Sequence, residues 1–110
     1  MAYANEIKTS FLGVPSDLLK KYGAVSAPVA KAMAQGARKR LKTDFAMATT
    51  GIAGPTGSTT AKPVGLVFIA IATPKKTVIK KYLFKGSRLT IKKQTVTKAI
   101  GSFYMSLRSS

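Results

Sequence analysis

Val29, Met33, Ala37 and Leu41 recur at every fourth position, with Ala30 and Ala34 beside them, while Lys31, Arg38, Lys39 and Lys42 keep mostly to other faces. That spacing predicts an amphipathic helix. Ser26 suits its N-cap and Pro28 its first turn, where a missing N–H is harmless. The helix should run to about Leu41, and its alanines give it a thin face suited to lying close against a sheet. Upstream, Asn5 can cap a short helix through Ser10, and Gly13-Val14-Pro15 breaks it. Ser16 or Pro15 then opens a second short helix through Leu18, Leu19 and Tyr22, stopped by Gly23.

The period changes after Asp44. Residues 44–49 are short and apolar, a candidate buried strand. Residues 66–72 (LVFIAIA) form the strongest strand signal, apolar on both faces and rich in branched residues. A tight connection at residues 73–76 leads into residues 77–84, which alternate well enough to make an antiparallel partner. Lys80, Lys81 and Lys85 suit a water-exposed edge. Ser87 caps a long final helix in which Leu89, Val96, Ile100, Phe103 and Leu107 follow a three-and-four spacing, predicting one face docked on the sheet. A strand buried on both faces needs helices above and below it. The expected fold is therefore α/β: a three-layer α/β/α sandwich with a mixed, mostly parallel sheet, in one domain spanning residues 1–110.

Between the two central strands lies a charge-free stretch. No ionisable side chain falls between Asp44 and Lys62, and Thr50-Gly51-Ile52-Ala53-Gly54-Pro55-Thr56-Gly57 is built of small residues. Such a loop lets backbone approach a ligand closely and turns N–H groups toward an anion. It is no Walker loop, because no Gly-Lys-Ser/Thr follows at the needed spacing. Nor is it a dinucleotide fingerprint, because no helical pattern follows the glycines. From spacing alone, a turn made of small residues and a cradle for phosphate or carboxamide groups stand level.

Composition narrows the chemistry. Cysteine and histidine are both absent, which removes disulfides, thiolate and imidazole metal sites, and the commonest general base. Proton transfer would fall to lysine, tyrosine, serine, threonine or a rare carboxylate. No apolar run is long enough to span a bilayer and no signal-peptide order opens the chain, so no membrane partner and a cytoplasmic location are expected. Nineteen lysines and arginines face only three acids, for a formal net charge of +16. That excess attracts polyanions. The basic residues are spread through every segment, however, without the aromatic or zinc-finger signatures of nucleic-acid modules. A solvated lysine-rich surface explains them more simply.

Tyr3 and Lys8 form a second constellation. If Asn5 starts a helix, Lys8 lies in its first turn and Tyr3 can fold back near the amine. A lysine beside a tyrosine hydroxyl can act as general base when burial lowers its pKa. In so basic a chain such a pair is ordinarily chance, and spacing alone gives it no role.

The segments Tyr3-Ala4-Asn5-Glu6-Ile7-Lys8, Leu12-Gly13-Val14, Tyr22-Gly23-Ala24-Val25-Ser26, Thr50-Gly51-Ile52-Ala53-Gly54-Pro55, Lys62-Pro63-Val64-Gly65 and Gly86-Ser87-Arg88 together resemble the CinA C-terminal domain. They run in order across the whole chain. That family includes the nicotinamide mononucleotide deamidases (PncC-like amidases), and many members are called competence/damage-inducible. The resemblance implies hydrolysis of a carboxamide to a carboxylate and ammonia by a serine nucleophile working with a lysine and a tyrosine, with no cofactor and no metal. Tyr3 and Lys8 match that tyrosine and lysine. Thr50, Gly51, Ile52, Ala53 and Gly54 match the substrate loop, and Arg88 matches the basic contact to the substrate phosphate.

The sequence departs from the family in one respect. The Glu-Ser-Cys/Thr-Gly-Gly-type segment that supplies the serine has no counterpart, and neither Ser10 nor Ser26 has its context. The expectation is an N-terminal strand–helix unit missing from the domain, and an amidase inactive as this chain. Nicotinamide mononucleotide or a related nucleotide is the expected ligand, with a homo-oligomer as the expected assembly. Two other classes stay open: a nucleic-acid or nucleotide binding protein driven by the charge, and a non-catalytic assembly module.

Overall fold

Lys42 takes a left-handed backbone conformation (φ 54°) and turns the chain out of its second helix into a three-stranded sheet. The computed structural model describes residues 14–52 and 62–109. Within them the order is α1 (Ser16–Tyr22), α2 (Ala27–Leu41), β1 (Ala46–Gly51), β2 (Leu66–Ala72), β3 (Thr77–Leu83) and α3 (Arg88–Ser109). The helix expected over residues 5–10 lies outside the described residues.

The sheet order is β1-β2-β3. β2 is buried along its whole length, and Ile69 and Ile71 are almost completely enclosed. Side chains of this size contribute about 1.5–3 kcal/mol each when buried. Alternation sends Leu66, Phe68, Ala70 and Ala72 to one face, where they meet Ala30 and Ala34 of α2. Val67 and Ile69 go to the other face, where they meet Ile91 and Ala99 of α3, with Phe84. A third cluster, Val14, Leu19, Val29 and Met33, fixes α1 on α2. The three layers follow from a central strand with no polar face.

Both strand pairs are antiparallel: Gly51 opposes Val67 and Ala46 opposes Ala72 across β1–β2, while Leu66 opposes Leu83 and Ala72 opposes Thr77 across β2–β3. The expectation of a mostly parallel sheet rested on the two-sided burial of β2, which is typical of parallel sheets. Here a helix on each face produces that burial, and no parallel pair occurs among the described residues.

Two further expectations change. Leu41 is 61% exposed: each step of four residues drifts by about 40° around a helix, so after three steps this position has left the face that Val29 occupies. In α3 the docking face is not the row of large apolar residues: Leu89, Val96 and Ile100 are each more than half exposed. The buried row is Ile91, Ala99 and Ser102, with Thr95 and Ser106 half-buried between them. Small side chains let the helix settle close on β2, and the larger ones point aside.

Candidate functional site

The end of β1, the start of β2 and the end of β3 share one end of the sheet, since Gly51, Val67, Leu66 and Leu83 are paired there. The small-residue loop leaves from this end. The N-terminus of α3 arrives at it through the Phe84–Ser87 connection. Strands lie about 4.8 Å apart, so β1 and β3 stand about 10 Å apart across β2.

Close backbone approach shapes this end. Ile52 donates its N–H to the Leu66 carbonyl at 2.9 Å and accepts from the Gly65 N–H at 2.6 Å. The Phe84 N–H donates to the Gly65 carbonyl at 2.9 Å. Gly65 has φ 96°, and a Cβ built there would lie 1.9 Å from the Phe84 carbonyl oxygen. Only glycine fits between the two outer strands at this point. Gly51 is also confined, since a Cβ on it would come within 2.8 Å of Val67 Cγ2.

Thr50 is half-buried, and its hydroxyl donates to the Ala24 carbonyl at 2.8 Å. Lys62, on the other side of the loop, donates its Nζ to the Tyr22 carbonyl. Ser26 donates to the Gly23 carbonyl at 2.9 Å. Three consecutive carbonyls, at residues 22–24, thus each accept from a different side chain. Thr50 and Lys62, one at the end of β1 and one ahead of β2, tie both segments to the α1–α2 junction. A hydroxyl has one proton, and Thr50 has committed its own. Toward a ligand, its side chain can only accept.

Arg88 is exposed at the first turn of α3. Ser87 prepares that turn: its Oγ accepts from the Thr90 N–H at 3.2 Å and lies 3.0 Å from the Thr90 hydroxyl. Helix N-termini favour anions through their free N–H groups, so a cation there adds to an existing preference. Of the expected site residues, Thr50, Gly51 and Ile52 stand on one side of this sheet end, and Arg88 opens the helix that starts from it. Tyr3, Lys8, Ala53 and Gly54 lie outside the described residues. Ser26 caps α2 as its position predicts, while its bond to the Gly23 carbonyl and the reach of Lys62 to the Tyr22 carbonyl are contacts that spacing did not reveal. The signal was there in the sequence, since Lys62 is the first charge after the neutral stretch.

Among the described residues no group of histidine, cysteine or carboxylate side chains could hold a metal ion. No helix there is long and apolar enough to cross a membrane.

The model of the CinA C-terminal domain matches residues 1–107. A putative competence-damage inducible protein of Thermoanaerobacter pseudethanolicus is 48% identical over 100 residues, which is 91% of this chain and 24% of that protein. A CinA-like protein of Anaeromyxobacter is 45% identical over 108 residues, 98% of this chain and 26% of that protein. The crystal structure of the competence/damage inducible protein CihA from Agrobacterium tumefaciens superposes with a TM-score of 0.91 at 37% identity, over 94% of this chain and 64% of that one. The chain therefore spans about a quarter of the length of these two sequence relatives.

Proposed function

The chain belongs to the CinA C-terminal domain family, and from that membership we propose that it carries the nucleotide-binding wall of an amidase acting on the carboxamide of nicotinamide mononucleotide. The sheet end described above carries this reading: a neutral loop of small residues leaves it on one side, and an arginine opens a helix on the other. In the proposed arrangement Arg88 and the α3 N-terminus receive the phosphate, combining a charge-assisted hydrogen bond with the helix dipole. The loop's N–H groups take the amide oxygen, where charge develops during hydrolysis. Thr50, its proton committed to Ala24, accepts from a ligand donor such as the carboxamide N–H or a ribose hydroxyl.

The reaction is hydrolytic: water adds, the C–N bond breaks, and carboxylate and ammonia leave. Lys8 would take the proton of a serine nucleophile, and Tyr3 would orient that network or pass the proton to the departing ammonia. None of the 110 residues offers a serine in the family's nucleophile context. The activity proposed for them alone is binding, and turnover requires that serine.

Titration calorimetry of the chain with nicotinamide mononucleotide tests this. Binding is expected, weakened about tenfold or more by Arg88→Gln, with ammonia release at background. Absence of binding overturns the reading. Turnover abolished by Lys8→Ala would instead place a working nucleophile within these residues.

A second reading has one specific observation in its favour. A groove of about 880 Å³ between α1 and α2 has an apolar floor that includes Pro15, Leu18 and Ala32, and Lys31, Lys39, Arg40 and Lys42 line it with no acid. Such a rim suits a polyanion. Binding of single-stranded oligonucleotide that fades steeply with salt and shows no sequence preference would reduce this to bare electrostatics.

A further inference from the structure

The far end of the sheet holds a cavity that the proposed nucleotide site does not use. Ala72 opposes Thr77 there, and the seven residues of β2 put it about 20 Å from the end where Gly51 and Leu83 stand. The cavity, of about 320 Å³, lies between the β2–β3 hairpin and the closing turns of α3, and Ser102 and Ser106 line it from the helix. Ser102 is only 7% exposed, yet its hydroxyl has no hydrogen-bond partner among the described residues. That hydroxyl keeps contact with solvent, through the cavity it lines. Two threonines earlier in α3 satisfy theirs locally: Thr95 donates to the Ile91 carbonyl at 2.8 Å and Thr97 to the Lys93 carbonyl at 3.0 Å. Ser102 and Ser106 make no such bond. Four residues apart, they stand on one face of the helix about 6 Å from each other. A buried hydroxyl without a partner is costly unless something in the cavity completes it.

Water alone can serve a hydroxyl; the charge around this cavity points to an anion. Lys75, Lys76 and Lys80 line it from the hairpin, and no carboxylate is among the described residues that do. None of the three ammonium groups has a hydrogen bond or an ion pair among the described residues. None is therefore spent on the carbonyls that end α3, a common use for a lysine near a helix C-terminus. The turn that carries two of them is fixed. Thr73 Oγ1 accepts from the N–H groups of Lys75 at 3.3 Å and Lys76 at 3.0 Å, and it donates to the Lys76 carbonyl at 2.8 Å. With those N–H groups occupied, an anion is held by ammonium groups and serine hydroxyls. A phosphate monoester offers three acceptor oxygens and close to two negative charges, and Ile71, Val78 and Met105 give its ester group an apolar wall. Exposed lysines are ordinary in a chain of this charge; two unbonded hydroxyls among them, in a cavity of ligand size, are not. We propose that the hairpin cavity is a second anion site, for a small phosphate monoester with a compact apolar group, independent of the amidase reading.

Amide and methyl NMR of the 110-residue chain, titrated with phenyl phosphate, inorganic phosphate and phenol, reads the site directly. Phenyl phosphate should give saturable shifts at the Met105 and Val78 methyls and the Ser102 amide, and it should bind more tightly than inorganic phosphate. Phenol should not saturate. Lys76→Gln and Lys80→Gln should each weaken phenyl phosphate about threefold to fivefold, and the double variant about tenfold or more. Ser102→Ala should weaken it about fivefold while the melting temperature holds or rises, because a hydroxyl without a partner has been removed. Lys31→Gln and Arg88→Gln, which each remove one charge elsewhere, should leave these shifts unaltered. Equal weakening by Lys31→Gln reduces the binding to net charge and overturns the site, as does the absence of saturation up to about 10 mM. A lowered melting temperature in Ser102→Ala, or binding indifferent to it, overturns the role of the hydroxyl. Inorganic phosphate binding as tightly as phenyl phosphate overturns the choice of a monoester. Shifts confined to Gly51 and Arg88 and abolished by Arg88→Gln put the phosphate in the nucleotide site, and overturn this proposal while leaving that reading intact.

Discussion

Thr50 at the end of β1 and Ala24 before α2, 26 residues apart, are joined by a hydroxyl-to-carbonyl hydrogen bond of 2.8 Å. A residue expected to serve the ligand is therefore also a strut of the fold. Thr50→Val keeps the shape and the strand preference and removes the donor. It should destabilise the chain by about 1 kcal/mol, read as a lower urea midpoint with an unchanged m-value, while Thr50→Ser stays near the parent. Equal midpoints for Val and Thr would show that the bond contributes nothing.

Gly65 allows no substitution. With φ 96° and its Cβ direction running into the Phe84 carbonyl, Gly65→Ala combines a strained backbone with a clash against main chain. Positive-φ strain alone is worth roughly 1–3 kcal/mol, and the clash requires β3 to shift. The expectation is a loss above about 3 kcal/mol, or failure to fold, seen in thermal melts. A melting temperature within a few degrees of the parent would contradict it.

Ser26 accepts from the Val29 N–H at 3.4 Å and donates to the Gly23 carbonyl at 2.9 Å. Ser26→Ala removes both and should cost about 1–2 kcal/mol. Ser26→Asp restores the cap alone and should recover part of that loss. Recovery to the full parent stability would show that the Gly23 contact is idle.

Ala34, fully buried against Phe68 and Ala70, tests how tightly α2 lies on the sheet. Ala34→Leu should lower stability by about 1–3 kcal/mol through overpacking, whereas Ala37→Leu, at a half-exposed position, should be nearly neutral. Chemical denaturation of both variants separates them, and similar losses would deny the close approach.

The elements that pack on β2 were legible in the sequence because each combined a clear period with a boundary residue. Ser26 opened α2, Ser87 opened α3, and LVFIAIA could be nothing but a covered strand. Strand direction was less legible, since two-sided burial is shared by parallel sheets and by any sheet with a helix on each face. The docking face of α3 was misread because the apolar pattern contains two stripes, and size favoured Leu89, Val96 and Ile100 over Ile91, Ala99 and Ser102. Close packing selects small residues, so the stripe that touches the sheet was the quieter one. In the candidate site, Thr50 and Arg88 stood out by type and position. The hydrogen bonds to carbonyls 22–24 did not, because acceptors on the main chain leave no trace in side-chain identity.

The two bonds of Ser26 also settle the rotational phase of α2. A one-residue shift in phase would turn the helix by about 100°; in one direction it brings Lys31 and Gln35 over the sheet where Ala30 and Ala34 now lie. The cap at Ser26, with Pro28 in the first turn, fixes where the helix starts and so that angle. The lysines of α2 thus face water because of a decision made at its first residue.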